Sequence, residues 1–374
     1  MGFLTGMAFA LFYTVAGIPI ARWADLGVRR SVIALGLVVW SAMTAISGLV
    51  QNFVQLAVAR VGLGVGETAC SPPAHSLIAD YFPPERRATA LSVYNSGISI
   101  GILFGLVAGG WLNEYFAWRW AFIVVGLPGL ALAVLVRWTI REPQRGVSKG
   151  VTVDEPPEPT REVFRFLWSL RSFRHLALAS GLHAFSGYGL ATWVPTFLRR
   201  VHDLSAAEAG TYLGLIIGLG GAVGAVLGGL LADRLSLRDK RWYLWLSALT
   251  SISLVPFVLA FLLLDSLGLA LIAYIPAAVL SAMWLAAILA TTQALMKLRM
   301  RAVASAILFF IINLIGLGFG PPAVGIVNDL LAPSLGDEAI RYPLVLTILM
   351  TVWAAVHFAL AARTLQADLQ AKSG

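Results

Sequence analysis

Apolar stretches of about 20 residues recur along this chain, each closed by a short polar or basic turn. A run of that length is what an α-helix needs to cross about 30 Å of hydrocarbon while satisfying its own backbone groups. Eleven spans are expected, at roughly 2–21, 31–50, 53–72, 88–112, 119–139, 174–197, 211–231, 242–264, 267–295, 302–327 and 341–362. Charged residues are only 12% of the chain and hydrophobic ones 59%. A soluble domain carries about a quarter charged residues, so the soluble-enzyme classes are excluded. Outer-membrane barrels are excluded as well, because their strands alternate polar and apolar positions. The fold class expected is an all-α polytopic membrane protein.

The net charge of +8 does not signal a nucleic-acid partner, because the basic residues fall in short loops between apolar blocks. About 22 of the 27 lysines and arginines lie on one side, which is therefore cytoplasmic. Arg119, Arg199, Arg200 and Arg341 lie on the other side, and Arg60 lies inside a span. This pattern predicts a multi-pass protein of the cell inner (cytoplasmic) membrane with a cytoplasmic C-terminus. The first block has no basic n-region or cleavage site and does not read as a signal peptide. The single cysteine, Cys70, cannot form an intrachain disulfide.

With this orientation the first span starts outside, and no helix precedes it. The simplest reading is that a helix upstream of Met1 is missing, so that the full set is six plus six. The expected organisation is an N-terminal bundle over 1–139, a cytoplasmic linker over 140–173, a C-terminal bundle over 174–363 and a tail over 364–374. The linker opens Pro-rich and acidic with VDEPPEPT, an extended composition. It closes with REVFRFLWSLRSF, which reads as a short amphipathic helix on the membrane surface.

An internal repeat supports two related halves. ARWADLGVRR follows the first span and GLLADRLSLRDKR the seventh, so Asp25 and Asp233 each sit where a span leaves the inner face. Related halves of this kind mark transporters. An aspartate there can cap a helix that starts at the same face, where free N–H groups and the helix dipole favour an anion. Asp25 is expected near the start of the span at 302, and Asp233 near the start of the span at 88. Together with Arg29, Arg30, Arg86, Arg87 and Arg234 they would form a cytoplasmic gate. The alternative is ordinary loop charge obeying the positive-inside rule.

Arg60 and Glu67 carry the most information. Both lie inside QLAVARVGLGVGETAC. A charge at mid-bilayer costs about 2.5–3.5 kcal/mol on insertion scales, so it ordinarily faces a cavity and serves a function. Seven residues are about two helical turns, so the two side chains leave nearly one face, with backbones roughly 10 Å apart. That is long for a direct pair, and each is expected to find partners on other helices. A buried carboxylate balanced by a nearby cation can load and release a proton. The planar fork of Arg60 suits a phosphate or carboxylate. The competing reading is a structural ion pair.

Several polar and aromatic residues in the spans are candidates for lining a cavity: Tyr94, Asn95, Ser99, His183, Tyr188, Trp193, Gln293 and Asn313. For each, an interhelical hydrogen bond is the alternative. Gly101, Gly105, Gly109 and Gly110 fall on one face and suit close helix packing. Trp111, Trp118 and Trp120 suit an interfacial belt. The histidines show no metal-ligand spacing and no Walker-type phosphate loop exists, so no cofactor and no ATP-driven pump is expected.

These residues carry a resemblance to a known family. The loop Ala21, Asp25, Leu26, Gly27, Arg29, Arg30 resembles the G-x-x-x-D-R/K-x-G-R/K-R/K pattern of the major facilitator superfamily, with Ala and Leu at two of its positions. The second copy keeps Gly229, Asp233 and Arg234. GILFGLVAGG resembles the antiporter motif of that superfamily, with Leu106 in place of its proline. Over nearly the whole chain, GFLTGMAFALFYTVAGIPIARWAD, GETACSPPAHSLIADYFPPERRATALSVYNSGISIG and YGLATWVPTFLRRVHDLS resemble the spinster-like subfamily. The resemblance implies two pseudo-symmetric bundles totalling twelve helices, the first of them carrying an Asp-Arg pair and absent here. It also matches Arg60 and Gly64 to an Arg-x-x-x-Gly pattern of the fourth helix. It implies a secondary transporter, proton-coupled, moving an organic or amphiphilic anion such as a lysolipid or sphingolipid-like molecule by alternating access. Glu67 would carry the proton. Arg60, Tyr94, Asn95, His183, Tyr188 and Trp193 would contact substrate. The partners expected are that substrate, protons and the bilayer, with the chain acting as a monomer and not as an enzyme. A non-transporting sensor or truncated remnant is the alternative.

Overall fold

A computed structural model describes residues 20, 23, 27–81, 84–143, 160–296 and 300–371. These residues form helices joined by short turns, with no strand among them. In chain order they are α1 (Arg29–Ser47), α2 (Phe53–Thr68), α3 (Ser71–Tyr81), α4 (Pro84–Phe116), α5 (Trp118–Thr139), α6 (Thr160–Ser169) and α7 (Arg171–Val201). Then come α8 (Ala206–Leu213), a π-helical turn (Gly214–Leu219), α9 (Gly220–Ser236), α10 (Trp242–Leu263), α11 (Leu267–Ala282) and α12 (Leu285–Leu295). The last elements are α13 (Arg301–Ile312), a second π-helical turn (Asn313–Leu317), α14 (Gly318–Leu335), a 3₁₀ turn (Gly336–Ile340) and α15 (Arg341–Ala371).

Seven helical stretches among the described residues are long and apolar enough to cross a bilayer, by length and composition. The expected count of eleven is not established. The span at 2–21 falls almost wholly outside the described residues. The span expected at 53–72 is a 16-residue helix that breaks at Ala69–Cys70 before α3. The span expected at 267–295 is interrupted at Met283–Trp284.

Local chemistry accounts for several helix ends. The Asn52 side chain accepts the Gln55 N–H at 2.9 Å and caps α2. Ala117 takes φ 72°, a rare turn for a residue with a Cβ, at the junction of α4 and α5. Gly336, at φ 58°, ends α14 where a side chain would be strained.

The chain divides into two compact units. One holds 7–155 with 205–211; the other holds 1–6, 156–204 and 212–374. In the first unit α1 packs against α2 and α5. Glycines set how closely these helices approach. A Cβ on Gly66 would sit 2.5 Å from the Trp40 backbone nitrogen, and one on Gly36 would sit 2.8 Å from the Gly66 carbonyl. Contact this close is how helices associate where lipid removes the hydrophobic drive. In the second unit α7 lies against α15 and the π turn at 313–317. Its core includes Phe173, Leu176, Ile288, Leu308 and Phe358, all fully buried.

Candidate functional site

Residues Ala59, Gly62, Leu63 and Gly66 make the stripe of α2 that faces inward, and Cys70 continues it just past the helix end. Ala59, Leu63 and Cys70 are buried, Gly62 meets Met43, and Gly66 meets the backbone of α1. At about 100° per residue, Arg60 and Glu67 leave α2 on the same flank of that stripe, two turns apart. Both are half-buried. The Arg60 guanidinium carbon lies 5.0 Å from the centroid of the Phe122 ring on α5, a cation–π contact. Among the described residues neither side chain makes a hydrogen bond or an ion pair. The structure therefore brings both charges to one flank of one helix and gives Arg60 an aromatic neighbour instead of an acid.

A second charged cluster lies at the start of α1, and sequence reading recovered only half of it. Arg29 is 2% exposed. It donates from Nη1 to Asp80 Oδ2 at 2.5 Å and from Nε to Glu142 Oε1 at 2.8 Å. The Arg30 backbone N–H donates to Glu142 Oε2 at 3.0 Å, and Arg30 Nη1 donates to the Ile140 carbonyl at 3.2 Å. The Tyr81 hydroxyl donates to the Arg141 carbonyl. Three segments are thus tied at one point: the start of α1, the end of α3 and the chain leaving α5. Partial burial works against ionisation of Glu142. The hydrogen bonds from Arg29 and Arg30 and the Arg29 charge outweigh it and hold this carboxyl below its ordinary range. Arg29 and Arg30 are residues the sequence assigns to a gate, whereas Asp80 and Glu142 are not. The available signal was an acid placed just past an apolar stretch and next to a basic loop, in LIADYF and TIREP.

The other expected site residues belong to several helices of both units. Asp25 lies outside the described residues, as do the side chains of Arg86, Arg87, Asn95 and Gln293. Asp233 and Arg234 are exposed at the end of α9, where Asp233 accepts the Tyr243 hydroxyl at 3.2 Å. Tyr94 is 37% exposed on α4. His183 is only 4% exposed. Its Nδ1 is 3.0 Å from the Ser251 hydroxyl, and its ring lies 4.6 Å from that of Trp284. The residue thus ties α7 to α10 and to the break after α11, and it faces no open space. The Tyr188 hydroxyl donates to Asn313 Oδ1 at 3.3 Å, at the first residue of the second π turn. Trp193 Nε1 donates to the Pro321 carbonyl at 2.9 Å, and Gly325 leaves room for its indole.

The glycine stripe of α4 also departs from expectation. Among the described residues nothing lies near the Cβ positions of Gly101, Gly105 and Gly109. Against the described residues only Gly110 of these four needs its missing side chain, for a Cβ there would lie 2.4 Å from the Ala206 carbonyl and 3.1 Å from Gly210 Cα. Beside it Trp111 Nε1 donates to Thr211 Oγ1 at 3.0 Å, so this tryptophan is bonded and not simply interfacial.

Comparison with known proteins places this arrangement. A profile described as Major Facilitator Superfamily matches residues 1–321. The chain belongs to the major facilitator superfamily. It is a multi-pass membrane protein of a transporter family. It is 34% identical to an MFS-type efflux pump of Mycolicibacterium smegmatis, over 99% of this chain and 85% of that protein. It is 28% identical to the cis,cis-muconate transport protein of Acinetobacter baylyi, over 60% of this chain and 57% of that protein. Among solved structures it resembles a bacterial homologue of the human lysosomal transporter Spinster in an inward-facing, unoccupied conformation. That match has TM-score 0.86 and 32% identity, covering 98% of this chain and 90% of the other. The spinster-like resemblance of the sequence motifs and the likeness of the fold agree.

Proposed function

We propose that this superfamily member is a proton-coupled secondary transporter of the cytoplasmic membrane that moves an organic anion by alternating access. Glu67 is assigned the proton and Arg60 the anionic group of the substrate. One observation carries the reading: an acid and a base share one flank of an apolar helix, half-buried, with no hydrogen bond or ion pair among the described residues. A structural pair would be joined, because an uncompensated charge in hydrocarbon is costly. Groups held apart and unspent suit cargo that arrives and leaves.

The substrate class follows from Arg60. A guanidinium matches carboxylate and phosphate with two parallel hydrogen bonds. The muconate transporter among the relatives is named for an organic anion, and an amphiphilic anion is the alternative implied by the spinster-like resemblance of the sequence motifs. Tyr94 and Asn95 on α4, and Tyr188 and Trp193 on α7, are proposed to shape the rest of the site. His183 is assigned a structural role instead, because its ring is enclosed and bonded. The two bundles, the linker over 140–173, the cytoplasmic C-terminus and the monomeric state are kept as parts of the same proposal.

Transport in proteoliposomes tests the reading. Vesicles carrying a pH gradient are offered radiolabelled muconate and lysophosphatidate. The wild-type protein should accumulate at least one of them. Glu67→Gln should lose gradient-driven accumulation while still exchanging labelled for unlabelled substrate. Equal gradient-driven accumulation by Glu67→Gln would refute the proton assignment. Undiminished affinity in Arg60→Gln would refute the anion assignment.

A further inference from the structure

Helix α6 lies at the end of the linker, and sequence reading expects its apolar face to rest on the membrane. The structure turns that face the other way. Val163 and Leu167 are both 0% exposed and Leu170 is 6% exposed. They join a core that includes Phe173, Met296, Met300 and Leu365. The apolar stripe of α6 is therefore spent on the protein.

What it leaves outside is a second stripe. Arg161, Phe164, Arg165 and Trp168 are spaced i, i+3, i+4, i+7, which places them within about 100° of arc opposite the buried residues. All four are exposed. Phe164 and Trp168 are each 47% exposed, and their rings stack at 5.4 Å with planes 12° apart. Neither arginine forms an ion pair among the described residues. One turn further on, Arg171 and Arg174 at the start of α7 are exposed too. The segment 161–174 carries four arginines against one acid, Glu162. Its position is held firmly, since the Ser172 N–H donates to Asp368 Oδ2 at 2.7 Å near the end of α15.

We propose that this stripe binds anionic phospholipid headgroups of the cytoplasmic leaflet. The chemistry selects that occupant. A stacked Phe–Trp pair is disfavoured in open water and favoured at the headgroup level, where aromatic rings keep an apolar body and a polar edge. Arginines flanking the pair meet phosphates at the same depth through paired hydrogen bonds. The inner leaflet supplies the negative charge. The helix is pinned to the bundle by one face and to lipid by the other, which holds the end of the linker at the membrane surface.

Two measurements on the full-length protein test the proposal. In native mass spectrometry, phosphatidylglycerol and phosphatidylcholine are titrated against detergent-purified protein. Each arginine beside an anionic surface is worth about fivefold in affinity. The double variant R161Q/R165Q should thus bind phosphatidylglycerol roughly 10- to 30-fold more weakly, with phosphatidylcholine unaffected and thermal unfolding unchanged. R161K/R165K should retain most of the preference. Separately, a spin label at Ser169→Cys in a Cys70→Ser background reports depth in nanodiscs containing phosphatidylglycerol. It should relax with oxygen more than with a water-soluble nickel chelate. Equal phosphatidylglycerol binding by the wild type and R161Q/R165Q would overturn the proposal. So would a label accessible mainly to the nickel chelate, which would make the stripe a water-facing surface for a protein partner.

Discussion

Replacing Arg29 by methionine should be among the most destabilising single changes in the first unit. The guanidinium is 2% exposed and donates to two carboxylates on different segments, at 2.5 Å to Asp80 and 2.8 Å to Glu142. Removing one member of a buried charge pair costs about 3–5 kcal/mol, because the remaining charge stays desolvated. Most of that cost falls on Asp80, which is 9% exposed, whereas Glu142 is 23% exposed and keeps the Arg30 N–H. Arg29→Lys retains the charge but replaces a planar fork by a point donor. It cannot serve both acids with the same geometry, and it should lose about one charge-assisted hydrogen bond, about 1.5–3 kcal/mol. Glu142→Gln should cost less still, because solvent reaches the site. The expected order of loss is Arg29→Met, then Arg29→Lys, then Glu142→Gln. Unfolding in mixed micelles, with sodium dodecyl sulfate as the denaturant, reads these differences as shifts in midpoint. If Arg29→Met lies within about 0.5 kcal/mol of wild type, the cluster is not a structural tie. If lysine and methionine are equivalent, the two-acid geometry is irrelevant and the reasoning fails.

Three further outcomes are expected. The Glu142 carboxyl is held below its ordinary range in the folded protein, so its contribution is present above its unfolded pKa of about 4.3 and is lost as pH falls through the folded value. Acid unfolding below pH ~4.3 should therefore be less steep in Glu142→Gln than in wild type, and identical slopes would rule this out. Gly66→Ala places a Cβ 2.5 Å from the Trp40 backbone nitrogen and should cost about 1–3 kcal/mol, whereas Gly101→Ala, with nothing nearby among the described residues, should be neutral or mildly stabilising. Equal thermal midpoints for the two variants would contradict the close crossing of α1 and α2. His183→Ala should cost about 1–3 kcal/mol through the lost buried hydrogen bond to Ser251, while leaving the KM of any transported anion unchanged in protein that folds. A raised KM with wild-type stability would return His183 to the substrate site.

Apolar periodicity and the placement of arginines were enough to read a helical, multi-pass membrane protein and most of its helix positions. Hydrocarbon imposes a length and forbids open backbone, so those constraints are written locally, residue after residue. The superfamily was legible for the same reason, in loop strings such as GVRR and LADR. Arg60 and Glu67 stood out because a charge within an apolar run is rare, and their common flank follows from helical spacing alone.

The tertiary structure decided the partners. Asp80 and Glu142 belong to Arg29 only because α1, α3 and the exit of α5 meet at one point, and no spacing in the sequence records that meeting. That His183 meets Ser251 and Trp284 is likewise a matter of packing, for the sequence places a histidine in a span without naming its neighbours. Of the four glycines expected to pack α4, only Gly110, half a turn round the helix from Gly101, has a neighbour among the described residues close enough to require the absence of a side chain. The linker helix shows the division most clearly. Its two faces can be drawn from the sequence, but which face is buried depends on the core that Phe173, Met300 and Leu365 build beneath it. A period fixes which residues share a face, whereas what that face touches is set by packing between segments distant in the chain.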